Sequence, residues 1–463
     1  MVDDEYDVDL GVVGSGGAAM AAGIAARKAG ATVVLIERAA VGGTCVNVGC
    51  VPSKTLLAAA GARHAALHSP FPGAATSAGA VDLASLVGQK DELVGRLRHA
   101  KYEEVAGAYG FEIRPGQARF ADHATLEVDG TPLRARAYVV ATGAEANRPA
   151  LPGLDEVEYL TSTTAMELEV LPESLVVIGA GYVGLEQAQL FAHLGTQATL
   201  VGRLAPQAEP EMAAVLRRVF DDDGITVIEE RAAAVESAPR GLAVVTASGR
   251  RVTAQQLLVA TGRRARTDGL DLHAAGVKTD GAGFVVVDEH QRTSNPRVYA
   301  AGDVTGVPQY VYVAAATGRA AATNALANDD TAPIEVDYAG MPAVVFTRPQ
   351  LASAGLTEAA ALASGYDCEC RVLDLADVPR ALANRDTRGA VKLVADASSG
   401  EVLGVHAAAE GAGDVMLAAT YAIKSGMTVD DMAETWAPYL TMAESLRLVA
   451  QLFRNDLPTS CCA

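Results

Sequence analysis

The stretch "DVDLGVVGSGGAAMAAGIAARKAGATVVLIER" constrains the fold more than any other. An apolar run ends in a glycine-rich turn, an alanine-rich helical segment follows, and a second apolar run closes on Glu37. Gly14, Gly16 and Ala19 satisfy G-x-G-x-x-G/A. The first glycine makes the turn and the second lets a pyrophosphate approach the backbone. The small third residue seats helix on strand, and the helix N-terminus faces the phosphates. Glu37 lies 23 residues after Gly14, where a carboxylate accepts a ribose hydroxyl. A bare glycine turn would lack this complete strand–turn–helix–strand frame.

The pattern recurs in "SLVVIGAGYVGLEQAQLFAHLGTQATLVGR", through Gly179, Gly181 and Gly184. The same count of 23 from Gly179 reaches Gly202, followed by Arg203. An acid there would repel a 2′-phosphate, whereas glycine followed by arginine admits one. Arg203 therefore reads either as a phosphate contact or as a solvated surface arginine. The first loop is expected to hold a dinucleotide with a free ribose, and the second to prefer NADPH. Two such sites suggest a flavin that passes electrons between a nicotinamide and a further acceptor. The segments "AYVVATGAEANRP" (Thr142, Gly143), "QLLVATGRRART" (Thr261, Gly262) and "RVYAAGDVTG" (Gly302, Asp303) agree, each ending an apolar strand pattern.

A chain of 463 residues predicts several domains. The net charge of −19 and the lack of a Lys/Arg run argue against nucleic acid and anionic membranes as partners. No apolar run has spanning length, and the acidic "MVDDEYDVDLGVVG" has no signal-peptide pattern, so a cytoplasmic location is expected. In that compartment cysteines tend to be catalytic or metal-binding. The six cysteines form three close pairs: Cys45 and Cys50, Cys368 and Cys370, Cys461 and Cys462.

"GGTCVNVGCVPSK" places Cys45 and Cys50 at the start of an Ala/Leu helix running to about His68. A helix N-terminus is expected to lower a thiol pKa there. The pair reads as a redox-active disulfide in preference to a structural bridge or an isolated metal pair. "YDCECRVL" sets Cys368 and Cys370 on one strand face, read as packing or surface placement over a metal site. No histidine shows metal-ligand spacing.

With two dinucleotide loops around "GGTCVNVGCVPSK", the chain resembles the class I pyridine nucleotide–disulfide oxidoreductases over nearly its whole length. That resemblance implies FAD on the first loop, with Gly43, Thr44 and Lys54 beside it, and NADPH on the second. It implies Cys50 as the thiol against the flavin and Cys45 as the thiol that attacks substrate. Lys54 and Glu186 match a buried ion pair near the flavin. Tyr182 matches a residue covering the flavin until nicotinamide arrives, or else simply packs.

Family members acting on disulfide substrates carry a proton-donating histidine in a His-Pro-Thr-x-x-Glu stretch. The equivalent segment is "WAPYLTMAESLRL", with Tyr439 and Leu440 in place of His-Pro while Thr441 and Glu444 align. Tyrosine, with a reference pKa of about 10, is a poor shuttle compared with histidine at about 6.5. The terminal Cys461–Cys462 pair points elsewhere. Adjacent α-carbons lie about 3.8 Å apart, and disulfides favour roughly 4.4–6.8 Å, so the pair should rest as a dithiol. Two soft thiols on a mobile tail suit a thiophilic metal ion.

Together these features resemble the branch of the family that reduces Hg(II) with electrons from NADPH. That implies Tyr102 and Tyr439 near the metal, although Tyr102 also reads as a packing residue. It further implies small thiols as carriers of Hg(II), and a homodimer in which Cys461 and Cys462 serve the partner's inner cysteines. A disulfide reductase of the dihydrolipoamide dehydrogenase kind is the alternative.

The expected fold is α/β: two Rossmann-like dinucleotide-binding domains plus a C-terminal α+β dimerisation domain. The FAD-binding domain is expected over 1–150 and 271–335, the NADPH-binding domain over 151–270, and the dimerisation domain over 336–463.

Overall fold

The computed structural model describes residues 6–328 and 332–454. Cys461 and Cys462, expected to carry metal, lie outside the described residues. Contacts divide the chain into two compact units, the first formed by residues 1–55, 84–147 and 262–337, the second by 56–83, 148–261 and 338–463.

The first unit is built on a five-stranded parallel sheet. Its order is Val298–Ala300, Ala135–Val140, Val8–Val13, Val33–Glu37, Glu112–Pro115. Alternate residues of these strands enter different cores. Leu10, Val12, Leu35 and Val139 pack with helices Gly17–Lys28 and Val311–Ala325. Val13, Ile36, Tyr138 and Val140 face the opposite way, with residues of a small three-stranded antiparallel sheet. Both faces are covered, which is why these strands read as unbroken apolar runs instead of alternating ones. The two helices touch closely: a Cβ on Gly318 would lie 2.1 Å from the Ala18 carbonyl oxygen.

The second unit contains two sheet systems. A four-stranded parallel sheet runs in the order Thr226–Ile228, Gln197–Val201, Ser174–Ile178, Gln256–Val259. It packs against an antiparallel three-stranded sheet over residues 232–254. The C-terminal part is a five-stranded antiparallel sheet in the order Pro342–Val345, Gln350–Gly355, Val402–Ala409, Ala390–Asp396, Cys368–Asp374. Helices Ala412–Lys424 and Glu444–Gln451 cover it. The α/β class with a C-terminal α+β part is therefore as expected.

In each parallel sheet the topology switches beside the first strand of the βαβ unit. In one it falls between Val8–Val13 and Ala135–Val140, in the other between Ser174–Ile178 and Gln256–Val259. Ligands of open α/β sheets bind at the carboxyl ends of strands at such points. Both Ala-Thr-Gly tripeptides sit directly after the switch-partner strands, at 141–143 and 260–262.

Candidate active site

The first loop is shaped for close approach. Gly14 adopts φ +115°, and a Cβ there would lie 2.4 Å from the Ala141 carbonyl oxygen. Gly16 begins helix Gly17–Lys28 with no side-chain cap, which leaves its first N–H groups available to an anion. Gly43 comes so close to Gly16 that a Cβ on it would be 2.7 Å from the Gly16 Cα. Ala19 is wholly buried, seating the helix on the sheet. Glu37 ends its strand, where its carboxylate accepts a 2.5 Å bond from Ser15 Oγ and a 2.8 Å bond from the Ala39 N–H. Ser15 Oγ in turn accepts from the Gly42 N–H at 3.0 Å, linking the loop to the cysteine segment.

Deeper in this unit, Gly302 (φ +75°) packs against Ala18 and Ala314, and Asp303 follows it. Burial raises the Asp303 pKa, opposed by the nearby Arg263 and Arg266 guanidinium groups. Arg263 Nε lies 3.8 Å from Asp303 Oδ2 and is a buried donor with no hydrogen-bond partner. Thr142 Oγ1 is buried and unpartnered as well. Gly143 (φ +72°) accepts from the Arg266 N–H through its carbonyl at 2.9 Å. Buried polar atoms are normally paired. Orphans beside an uncapped helix start, a glycine cradle and a strand-end carboxylate fit a dinucleotide with a free ribose. Arg263 escaped the sequence reading although it directly follows Gly262, which belongs to this unit.

The second loop repeats the device. Gly179 (φ +103°) would place a Cβ 2.3 Å from the Ala260 oxygen, and Gly184 would place one 1.8 Å from the Gly179 oxygen. Gly181 starts helix Tyr182–Leu194 without a side-chain cap. Thr261 Oγ1 is buried and unpartnered. Gly202 (φ +145°) follows strand Gln197–Val201, and Arg203 beside it is exposed. These residues fit a second dinucleotide, and no carboxylate occupies the position of Glu37. Tyr182 is half-buried at the helix start. Glu186 is buried and accepts the Phe346 N–H at 2.9 Å. Lys54 lies in the first unit and Glu186 in the second.

Cys45 sits in a short helix, Gly43–Asn47, and Cys50 opens helix Cys50–Leu67. The break between them at Val48 (φ −140°) folds the two thiols together. Neither is in a disulfide, Cys45 being half-buried and Cys50 exposed. Here the expectation of a lowered thiol pKa needs correcting for Cys45. Its pKa is raised, by the hydrogen bond with Cys50 first and burial second, while Lys54 opposes only weakly. The two sulfurs titrate as a pair, and the contact with Cys50 favours the protonated thiol at Cys45.

The segment around Cys45 is pinned. Asn47 Nδ2 donates to the Val41 and Gly43 carbonyls at 2.9 Å, and Arg98 Nε donates to Asn47 Oδ1 at 2.7 Å. Arg98 ends helix Leu83–Arg98, which continues into a π-helical turn, His99–Glu103. Such turns are rare and often functional. This one carries Tyr102, whose pKa is pushed up to about 12 by burial and then by the nearby Cys45 and Cys50. Tyr102 therefore keeps its phenolic proton beside the thiols. Tyr439 lies in the second unit, half exposed, before Leu440, which adopts φ +59°.

Removing the Cys50 sulfur removes the main cause of the raised Cys45 pKa. In Cys50→Ala, alkylation of the Cys45 peptide by iodoacetamide, followed by peptide mass mapping of reduced protein, should set in at lower pH than in wild type. An unchanged profile would mean that burial alone holds the proton.

Cys368 and Cys370 lie on strand Cys368–Asp374, half-buried against Ala361, Val394 and Leu403. That is packing. No histidine shows metal-ligand spacing along the sequence, but His64, His193 and Asp223 come together within the second unit.

The sequence profile of the pyridine nucleotide-disulphide oxidoreductases matches residues 8–318, and that of the family's dimerisation domain matches 341–450. A protein named mercuric reductase from Streptomyces lividans is 53% identical, with 100% of both chains covered. One from Bacillus cereus is 46% identical, covering 100% of this chain and 74% of that one. Among solved structures, LpdA from Mycobacterium tuberculosis superposes with a TM-score of 0.86 at 27% identity, covering 96% of this chain and 100% of that one. The flavoprotein disulfide reductase RclA from Escherichia coli, in its Cu(II) complex, gives 0.84 at 26%, covering 95% and 98%.

Proposed function

The chain belongs to the pyridine nucleotide-disulphide oxidoreductase family, and from that premise we propose that it reduces Hg(II) to elemental mercury with electrons from NADPH. The observation that carries the reading is the Cys45–Cys50–Tyr102 cluster: two adjacent soft sulfurs, one holding its proton, beside a phenol that stays protonated. Relatives named mercuric reductase over the full chain length supply the substrate class.

FAD would be held by Gly14, Gly16, Ala19, Glu37, Gly43, Thr44, Thr142, Gly143, Gly302 and Asp303. NADPH would be held by Gly179, Gly181, Tyr182, Gly184 and Arg203. A bound flavin supplied with hydride furnishes the two electrons that Hg(II) needs. Cys45 and Cys50, as thiolates, ligate Hg(II) through sulfur, which it prefers to oxygen or nitrogen. Each thiol gives up its proton on binding metal. Tyr102, as a neutral donor, stabilises sulfur as charge builds on it and withholds its own oxygen from the metal. Reduction to the element leaves both cysteines free of metal. No leaving thiol must be protonated in that step, which fits Tyr439 where disulfide reductases place histidine.

Cys461 and Cys462 are proposed to collect Hg(II) from small thiols and pass it to Cys45 and Cys50 of the partner in a homodimer. The dimerisation-domain match supports that assembly. The three-part division, with FAD over 1–150 and 271–335, NADPH over 151–270 and dimerisation from 336 onward, is proposed alongside. A cytoplasmic setting without nucleic-acid or membrane partners fits the net charge of −19. Among the described residues no helix is long and apolar enough to cross a membrane.

The test is NADPH oxidation by the purified flavoprotein, with and without Hg(II) in excess thiol, beside Cys461→Ala/Cys462→Ala and a lipoamide control. Hg(II)-dependent oxidation with mercury vapour released, weakened in the tail variant, is the expected result. Lipoamide turnover without metal dependence would replace the proposal with a disulfide reductase. Arg203 gives a separate check. Losing one charged hydrogen bond to a 2′-phosphate costs about 1.5 kcal/mol or more. Arg203→Ala should therefore raise KM for NADPH roughly tenfold and leave KM for NADH in place. Equal effects on both would remove Arg203 from the phosphate site.

A further inference from the structure

A second cluster of metal-ligating side chains lies within the second unit, and none of its members is among the residues assigned above. We propose that His64, His193 and Asp223 form a binding site for one borderline divalent cation of the zinc class, with solvent completing the coordination.

Three separate rigid elements deliver the ligands. His64 is on helix Cys50–Leu67, His193 is on Tyr182–Leu194, and Asp223 caps the C-terminus of Pro210–Asp222. One ligand atom from each lies within 4.8 Å of the others. His193 Nε2 is 2.9 Å from Asp223 Oδ2, and His64 Nε2 is 3.7 Å from Asp223 Oδ1. A tetrahedral zinc with bonds of about 2.0–2.1 Å sets ligand atoms roughly 3.3 Å apart. The two printed contacts run to different oxygens of the one carboxylate, and with one atom taken from each residue all three lie within 4.8 Å, so a bound cation would draw them closer together.

The two imidazole rings stack with centroids 3.9 Å apart beside Asp223, so holding one cation through both nitrogens would require the rings to swing apart. A buried His–Asp hydrogen bond needs one histidine. The second histidine stands beyond hydrogen-bond distance from the other carboxylate oxygen, a gap that a cation would close.

The surroundings orient the ligands as second-layer partners of metal sites do. Gln189 Nε2 donates to Asp223 Oδ2 at 2.8 Å, and Arg63 Nη1 donates to the His193 carbonyl at 2.8 Å. His193 and Asp223 have side chains 5% and 3% exposed, while that of His64 is 14% exposed and provides the way in. The nearby positive charges are Arg63, bonded to the His193 carbonyl, Arg348, which acts on His64, and Arg388, which acts on Asp223 and is itself held by the Asp386 carboxylate. Two imidazoles and one carboxylate suit Zn(II), Co(II), Ni(II) or Cu(II) better than Mg(II) or Ca(II). The donor set also differs from the all-sulfur pair proposed for Hg(II), so the two sites select different metals.

The experiment uses the full chain with its bound flavin and with all thiols alkylated by N-ethylmaleimide, so that cysteines cannot hold the probe. Zn(II) titrated by calorimetry should bind at one site per chain. His64→Gln and Asp223→Asn should each weaken that binding roughly tenfold or more, with circular dichroism and flavin absorbance unchanged. Crystals of unalkylated wild-type protein soaked in Zn(II) should show an anomalous peak among the three side chains, a readout independent of how the variants fold. No binding to the alkylated chain, binding indifferent to both variants, or an anomalous peak only at cysteines would each overturn the proposal.

Discussion

Replacing Cys45 by serine should lower Hg(II)-dependent NADPH oxidation at least about a thousandfold, or about 4 kcal/mol in the barrier. Serine preserves the shape of the segment between Gly43 and Asn47, including the Asn47–Arg98 clamp. It removes one of two sulfurs, and a hydroxyl is a hard, weak ligand for a thiophilic ion. Flavin content and melting temperature should stay at wild-type values. The measurement is initial rate under excess thiol, paired with mercury-vapour detection. Residual activity within tenfold of wild type would show that Cys50 or the terminal pair holds and reduces the metal without Cys45, and the proposed chemistry would fail.

Replacing Lys392 by methionine should cost about 3–5 kcal/mol of folding stability, read by urea unfolding. Lys392 lies on strand Ala390–Asp396 with a side chain only 1% exposed. Its ammonium donates to Glu209 Oε2 at 2.9 Å, Glu211 Oε1 at 3.0 Å and Glu358 Oε2 at 2.6 Å. Burial alone would lower its pKa, but the three glutamates raise it above the ordinary lysine value. Methionine fills similar volume, so the loss comes from charge and not from a cavity. It strands Glu209, whose side chain is 4% exposed, as a buried carboxylate facing two others. A loss below about 1 kcal/mol would mean that water reaches the carboxylates and that the cluster behaves like a surface ion pair. Circular dichroism at several urea concentrations distinguishes the cases.

Much of the candidate site was legible because it depends on neighbours along the chain. Gly14, Gly16 and Ala19 belong to one turn and one helix, so their spacing carries the phosphate geometry by itself. Cys45 and Cys50 were legible for the same reason: five residues and one helix start bring them together. The raised pKa of Cys45 was not, because it follows from burial and from which sulfur donates, and neither is written in the spacing. Nor was the π turn that presents Tyr102, since one extra residue in a helical turn leaves no mark in an alternation of polar and apolar residues. Arg263 stood in plain view after Ala-Thr-Gly, yet only its burial beside Asp303 reveals an unpartnered donor.

The two βαβ units, the cysteine pair, the dimerisation segment and the missing carboxylate at Gly202 were determined by sequence alone, because turn, strand and helix chemistry act within a few tens of residues. Only tertiary structure decided the company of distant side chains. His64, His193 and Asp223 are separated in the sequence by 129 and 30 positions. Lys392 lies 183 residues from Glu209. Their meeting depends on how whole helices and sheets pack to bury apolar surface, and the polar groups carried along must then find partners inside.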